Sequence, residues 1–258
     1  MMADGVNISR ERNVVSIAHE DYGSLVTPDW FNPDAWGTAA EPVSSGGRGG
    51  AWFVETADLS AVLRRYLRGG LVAKLLKSAY LYLGEKRVRS FSEFRLLLKL
   101  HNDGFPVPKP IAACYQKTAV ACYQSAILVE RLRDTEPLAD RVGHLSLGQW
   151  RSLGITLRRF HDAGICHADL NCFNVLVRED GFYLIDFDKG EIKEKPKQDA
   201  SWKTANLARL HRSLSRLNWR QAGAGDLESR WAALEEGYKE GFDGGGIKGH
   251  NDCQGNAG

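Results

Sequence analysis

A histidine, two aspartates and an asparagine hold the spacing in this chain that most clearly implies chemistry. They stand in His167-Ala-Asp169-Leu-Asn-Cys-Phe-Asn174 and, shortly after, in Ile185-Asp186-Phe187-Asp188. A carboxylate, an amide five residues on and a second carboxylate beyond a tight hairpin suit the holding of Mg²⁺–nucleotide while a hydroxyl attacks. Such phosphoryl transfer is mostly positioning and charge neutralisation, so it needs hard oxygen ligands and one group to receive the hydroxyl proton. Asp169 is the expected proton acceptor, and His167 belongs with it among the catalytic residues. Asn174 and Asp186 are expected to hold the metal. A polar turn would explain His167–Asn174 alone, but the hairpin and the Ile-Asp-Phe that follow in order argue against it.

Upstream features fall in the order that this chemistry demands. Gly47-Arg-Gly49-Gly50 sits between two expected strands, where backbone amides can cover phosphates; a hairpin turn explains the cluster equally well. Arg64, in Ala61-Val-Leu-Arg64, stands where a strand would present a phosphate-binding lysine, and a plain surface arginine is its alternative. Glu93 lies on the next helix, placed to orient Arg64. Ser90-Phe-Ser-Glu93 also reads as a capping box, which needs no catalytic role. Glu130 and Leu132, in Ile127-Leu-Val-Glu130-Arg-Leu132, are expected at the adenine contact by their place in the order.

The elements that must position these residues are legible as periodicities. Strands are expected near Pro42–Ser44, over Ala51–Glu55, over Leu59–Tyr66 and through Ala121–Leu132. The first ~40 residues read as an irregular lead-in. Helical spacing predicts helices over Leu71–Leu83, Ser90–His101 and Ser146–His161, the last with Ser146 as N-cap and Gly164 as its stop. Pro106, Pro108 and Pro110 bar a restart of the second helix. A hairpin is expected over Val175–Val177 and Phe182–Ile185, then helices near Ser201–Leu217 and Asp226–Tyr238. The order predicts an α+β, two-lobed fold: residues 1–130 as lead-in and N-terminal lobe, 131–240 as a C-terminal catalytic lobe, and 241–258 as a disordered, glycine-rich tail.

Composition narrows the classes. The chain has 258 residues, 43% of them apolar and 26% charged, which excludes a disordered or collagen-like protein. A net charge of +2 gives no argument for nucleic acid as a partner. No apolar run approaches the ~20 residues of a membrane span, and the mixed-charge N-terminus reads as no secretory signal. Five cysteines without a C-x-x-C pair are expected as reduced thiols.

With these residues in view, the chain resembles the protein-kinase-like superfamily and, within it, the lipopolysaccharide kinases, most of all those acting on 3-deoxy-D-manno-octulosonic acid (Kdo). The resemblance runs from about residue 35 to 240. It rests on Gly46-Gly-Arg-Gly-Gly-Ala-Trp-Phe-Val54, Val62-Leu-Arg-Arg-Tyr-Leu-Arg-Gly-Gly-Leu71, Phe105-Pro-Val-Pro-Lys-Pro110, Arg159-Phe-His-Asp-Ala-Gly164, His167-Ala-Asp-Leu-Asn171, Leu184-Ile-Asp-Phe-Asp188 and Asn206-Leu-Ala-Arg-Leu210. Against a protein kinase, Asp188 replaces the usual glycine, Asn171 stands where a lysine is common, and no A-P-E motif follows. Only Lys189–Ser201 separates the metal loop from the next helix, too short for a peptide platform.

The resemblance implies ATP and Mg²⁺ as cofactors and a Kdo–lipid A precursor as acceptor, phosphorylated on the 4-hydroxyl. It also implies a peripheral location on the cytoplasmic face of the inner membrane of a Gram-negative bacterium. The rivals are a kinase of another sugar, small molecule or protein on the same scaffold, and a non-catalytic nucleotide-binding scaffold favoured by the arginine at position 64. Ten Lys/Arg against two Glu between Arg64 and Lys99 suggest a contact with the inner membrane surface, with Tyr80 and Tyr82 at the headgroup boundary. A solvated helix packed on the first lobe is the plainer account of that block.

Overall fold

The lead-in opens as a hairpin, not as irregular chain. The computed structural model describes residues 5–43, 50–66, 80–119, 122–194, 201–217 and 227–241. Within them β1 (Val6–Glu11) and β2 (Val14–His19) pair antiparallel, with Glu11 opposite Val14 across an Arg12-Asn13 turn. Arg12 takes φ 52° there, so the turn forms without the glycine that would have announced it. Residues 20–39 follow as three 3₁₀ turns, and β3 (Ala40–Pro42), β4 (Ala51–Glu55) and β5 (Ser60–Arg65) as strands. Gly47 and Gly49 lie outside the described residues, as do Leu71–Ala79 of the expected helix and the tail beyond Gly241.

Where that helix was expected to end, the chain is extended: β6 (Tyr80–Leu81) pairs with Tyr123 and Cys122. Tyr80-Leu-Tyr82-Leu83 repeats with period two, which places both tyrosines against protein. Tyr82 stacks on Tyr115 at 5.7 Å and Tyr80 packs on Tyr123 at 5.7 Å. Both rings are half-buried against protein, and the segment that carries them is a strand and not the end of a helix.

Helix α1 (Arg89–Asn102) buries Phe91, Phe94, Leu97 and Leu98 as its periodicity predicts. It is followed by β7 (Pro110–Ala119), a strand that the three prolines concealed. Pro110 is tolerated because it is the strand's first residue. Ile111 through Tyr115 are all buried, so the run shows no alternation. β8 (Cys122–Glu130) returns beside it. The sheet runs β1-β2-β7-β8-β5-β4-β3 with every pairing antiparallel, and β6 takes over as a neighbour of β8 where β5 has ended.

The remaining elements are β9 (Glu136–Pro137), α2 (Leu138–Arg141), α3 (Leu147–Asp162), β10 (Ile165–Cys166), β11 (Val175–Arg178), β12 (Gly181–Leu184), β13 (Glu191–Ile192), α4 (Ser201–Ser215) and α5 (Leu227–Glu240). Ser146 caps α3 in a complete capping box with Gln149, and Gly164 follows the helix at φ 78°. Helices α3 and α5 lie almost backbone to backbone. A Cβ on Gly154 would stand 2.0 Å from the Leu234 carbonyl oxygen, and one on Gly237 would stand 1.9 Å from that of Arg151.

Two apolar clusters hold the whole together. The larger runs from Ile17 through α1, α3 and the β11–β12 hairpin to Leu234. The smaller covers the other face of the sheet, where Ala61, Leu63 and Leu128 meet Val26 and Phe31, with Trp30 and Trp36 packed against them. The lead-in is thus the lid of that second cluster.

Candidate active site

Strand alternation sets the first wall of the site. On β5, Ala61 and Leu63 point into the smaller core, so Val62 and Arg64 must point to the opposite face, where both line a cleft of about 530 Å³. Glu93, Glu130, Leu132, Asn174 and Asp186 line the same cleft. Glu130 and Leu132 stand where β8 runs out. Gly50, at the foot of the glycine cluster, fixes the start of β4 by accepting the Arg65 N–H at 2.7 Å.

Arg64 sits between two carboxylates. Its Nη2 donates to Glu93 Oε1 and its Nη1 to Asp186 Oδ1, so one guanidinium joins β5, α1 and the loop that carries Asp186. Burial works against that charge, but Glu93, Tyr66 and Asp186 outweigh it and raise the Arg64 pKa. Burial also pushes the Glu93 carboxyl up, with Arg64 pulling the other way. Tyr66, buried and not anticipated from the sequence, donates its hydroxyl to Glu93 Oε2.

The capping-box alternative fails. Val88 is the N-cap of α1 without a side-chain cap bond, and Ser90 Oγ donates instead to the Cys114 carbonyl at 2.9 Å. The Glu93 carboxylate is committed to Arg64 and Tyr66.

The second wall comes from the loop and hairpin. Val175 pairs with Leu184, and the Ile185 N–H donates to the Asn174 carbonyl at 3.1 Å, which brings Asn174 and Asp186 to one place. Asp186 has φ 63°, a left-handed conformation that aspartate tolerates at a cost the ion pair with Arg64 helps to meet. Asn174 Nδ2 donates to the Asp169 carbonyl at 2.9 Å, which leaves its amide oxygen as the atom available to a cation.

Asp169 adjoins the cleft through that bond, and its side chain is exposed. His167 is buried behind it. Its Nδ1 accepts the Asp169 N–H at 3.2 Å, so its Nε2 carries the proton and donates to the Ile185 carbonyl at 2.9 Å. Burial pulls its pKa down, which keeps the ring neutral. Both nitrogens are spent on backbone that carries Asp169 and Asp186. In this arrangement neither ring nitrogen of His167 is left over for a further partner.

Three further contacts were missed. Arg89 pairs with Asp188, its Nε donating to Oδ1 at 2.8 Å. Asn206, buried on α4, accepts the His167 N–H at 3.2 Å. Arg209, one turn on, donates from Nη1 to Asp169 Oδ1 at 3.1 Å. The 206/209 spacing was the available signal, since residues three apart share a helix face. For Arg89 and Asp188 there was none.

A family model described as "Lipopolysaccharide kinase (Kdo/WaaP) family" matches residues 33–238. A protein of Xanthomonas euvesicatoria pv. vesicatoria (strain 85-10), named 3-deoxy-D-manno-octulosonic acid kinase, is 43% identical over 211 residues, covering 81% of this chain and 83% of its own. One of the same name from Stenotrophomonas maltophilia (strain K279a) is 43% identical over 210 residues, covering 81% and 82%. Among solved structures, an aminoglycoside-3'-phosphotransferase of type VIII superposes with a TM-score of 0.51 at 15% identity, over 81% of this chain and 89% of that one. That likeness concerns the fold alone, and the fold is protein-kinase-like. On the family match and the two relatives, this chain is a member of the lipopolysaccharide kinase (Kdo/WaaP) family.

Proposed function

We propose that this protein transfers the γ-phosphoryl group of ATP to the 4-hydroxyl of Kdo on a lipid A precursor. The observation that carries the reading is the meeting of Arg64, Glu93, Asn174 and Asp186 in one cleft, with Asp169 bonded to it through Asn174, in a chain of this family. Residues 1–130 form the lobe that covers the nucleotide and residues 131–240 the lobe that holds the acceptor. Glu130 and Leu132 contact the adenine, and the backbone amides of Gly47, Gly49 and Gly50 cover the phosphates.

Asp169 receives the proton of the attacking hydroxyl, and Asn171 Nδ2, 3.2 Å from its Oδ2, keeps the carboxylate turned for that role. Arg64 shifts from Asp186 to the nucleotide phosphates and stays oriented by Glu93. Asp186 and Asn174 would supply two hard oxygens, a donor set that fits Mg²⁺ alongside phosphate oxygens and water. When bound, the ion neutralises charge on the transferring phosphate.

A lipid-linked acceptor places the work at the cytoplasmic face of the inner membrane of a Gram-negative bacterium, with the protein peripheral. Among the described residues no helix is long and apolar enough to cross a membrane. Several cations of the basic block serve internal pairs: Arg64, Arg89 and Lys99 meet Glu93, Asp188 and Asp103.

The test is direct. Protein incubated with Mg-ATP and Kdo–lipid A precursor adds the mass of one phosphate to the glycolipid. Asp169→Asn slows this ~10³-fold while nucleotide binding survives. A glycolipid of unchanged mass ends the reading.

A further inference from the structure

Asp169 is held by two side chains, and only one of them helps it to take a proton. Asn171 orients Oδ2, whereas Arg209 donates to Oδ1 at 3.1 Å and blocks a lone pair that the hydroxyl proton needs. The pair is open to water, with 48% of the Arg209 side chain and 60% of that of Asp169 exposed. Exposed ion pairs contribute little to stability, so the fold does not require this one.

Helix α4 itself is pinned to the catalytic loop on both sides of Arg209. Asn206 accepts the His167 N–H, and Ser213 Oγ accepts the Cys172 N–H at 2.9 Å. Residues 206, 209 and 213 share one helix face. The helix is therefore fixed against the loop while the guanidinium between those anchors stays free to change partner.

We propose that Arg209 recognises a carboxylate on the acceptor sugar, and that its pairing with Asp169 is a placeholder which an acidic acceptor displaces. The proposal rests on the reading of the acceptor as Kdo. In a 3-deoxyoctulosonic acid the carboxylate is carried on ring carbon 2, one methylene away from carbon 4 and the reacting hydroxyl. A sugar whose 4-hydroxyl donates to Asp169 Oδ1 holds its carboxylate within the sweep of an arginine that began on that same oxygen. The guanidinium exchanges one anion for another and can take both carboxylate oxygens of the newcomer. Asp169 is left uncovered at the moment when its hydroxyl arrives. A neutral sugar offers no replacement anion, so Arg209 stays on Asp169 and competes with it. The specificity is for acid sugars.

The experiment compares two acceptors, Kdo–lipid A precursor and the same glycolipid with its Kdo carboxylate methylated, under steady-state turnover with Mg-ATP. Wild-type protein prefers the free acid by about 10- to 100-fold in kcat/KM, the worth of a hydrogen bond to a charged group. Arg209→Ala brings that ratio to within about threefold, and Arg209→Lys restores an intermediate one. The ratio is internal to each preparation, so partial unfolding of a variant leaves it unchanged. Equal slowing of acid and ester by Arg209→Ala would overturn the proposal, because Arg209 would then act through Asp169 or the fold alone. A wild type that uses both acceptors equally would overturn it too. A wild type that phosphorylates neither would instead overturn the Kdo reading on which it rests.

Discussion

An arginine where a phosphate-binding lysine is usual changes what the position can hold. The planar fork of Arg64 takes Glu93 with one nitrogen and Asp186 with the other, whereas a lysine offers a single point charge. Glu93 is 2% exposed, so its carboxylate depends on that partner and on Tyr66. Arg64→Ala leaves a buried charge without its counter-ion and is expected to cost about 3 kcal/mol of folding stability, read from urea unfolding. Arg64→Lys keeps the charge and most of the stability, but raises the ATP concentration for half-maximal turnover about tenfold. An Arg64→Lys protein with unaltered ATP dependence would show that the fork is not used.

At the scale of elements, α1 and the loop from Asp186 to Asp188 are tied twice. Arg89 and Glu93 lie one turn apart on the same face of α1. Arg89 holds Asp188 directly, and Glu93 holds Asp186 through Arg64. The rings of Tyr80 and Tyr66 flank the Arg89 guanidinium at 4.7 and 5.5 Å. Asp188 thus fixes the loop on the helix. Asp188→Asn and Arg89→Ala are each expected to lower kcat about tenfold, and the double variant no further, because both remove one contact. Additive losses in that cycle would separate the two residues. The close approach of α3 and α5 at Gly154 and Gly237 fixes a second joint, one built on the absence of side chains.

For the whole molecule, acid is the informative stress. His161 joins three helices: its Nδ1 meets the Tyr238 hydroxyl at 2.7 Å, and its ring packs on Trp202. Burial, aided by Lys203, holds its pKa down at about 4, against 6.5 in an unfolded chain. Between those values the unfolded chain takes up a proton that the folded one refuses, so stability falls as pH drops from 6.5 towards 4. The loss reaches about 2 kcal/mol at about pH 5, and the buried His167 adds to it with the same sign. Glu93, pushed up by burial, opposes it. Urea midpoints at pH 7 and pH 5 for wild type and His161→Gln isolate the His161 part: the variant loses less on acidification. Equal losses in both would remove His161 as the cause.

What the sequence determined by itself was mostly local. The loop from His167 to Asn174, the β11–β12 hairpin and Asp186 lie within one stretch of chain, so spacing and turn chemistry were enough to bring them together. The apolar stripes of α1, α3, α4 and α5 and the strands β4, β5 and β8 were legible for the same reason. Tertiary structure alone decided the rest. Ser90 and Glu93 satisfied a capping pattern and a catalytic one equally until packing turned Ser90 to Cys114 and Glu93 to Arg64. β7 hid because burial on both faces erases alternation, and β1–β2 because its turn lacks glycine. Arg64 with Asp186, Arg89 with Asp188 and Arg209 with Asp169 are separated by 122, 99 and 40 residues. Charges so far apart in sequence carry no mark of their partners: the three-residue spacing of Asn206 and Arg209 marks a shared helix face, not what that face meets. Which cation meets which carboxylate is settled only when the apolar clusters have fixed the sheet, α1 and α4 around the cleft.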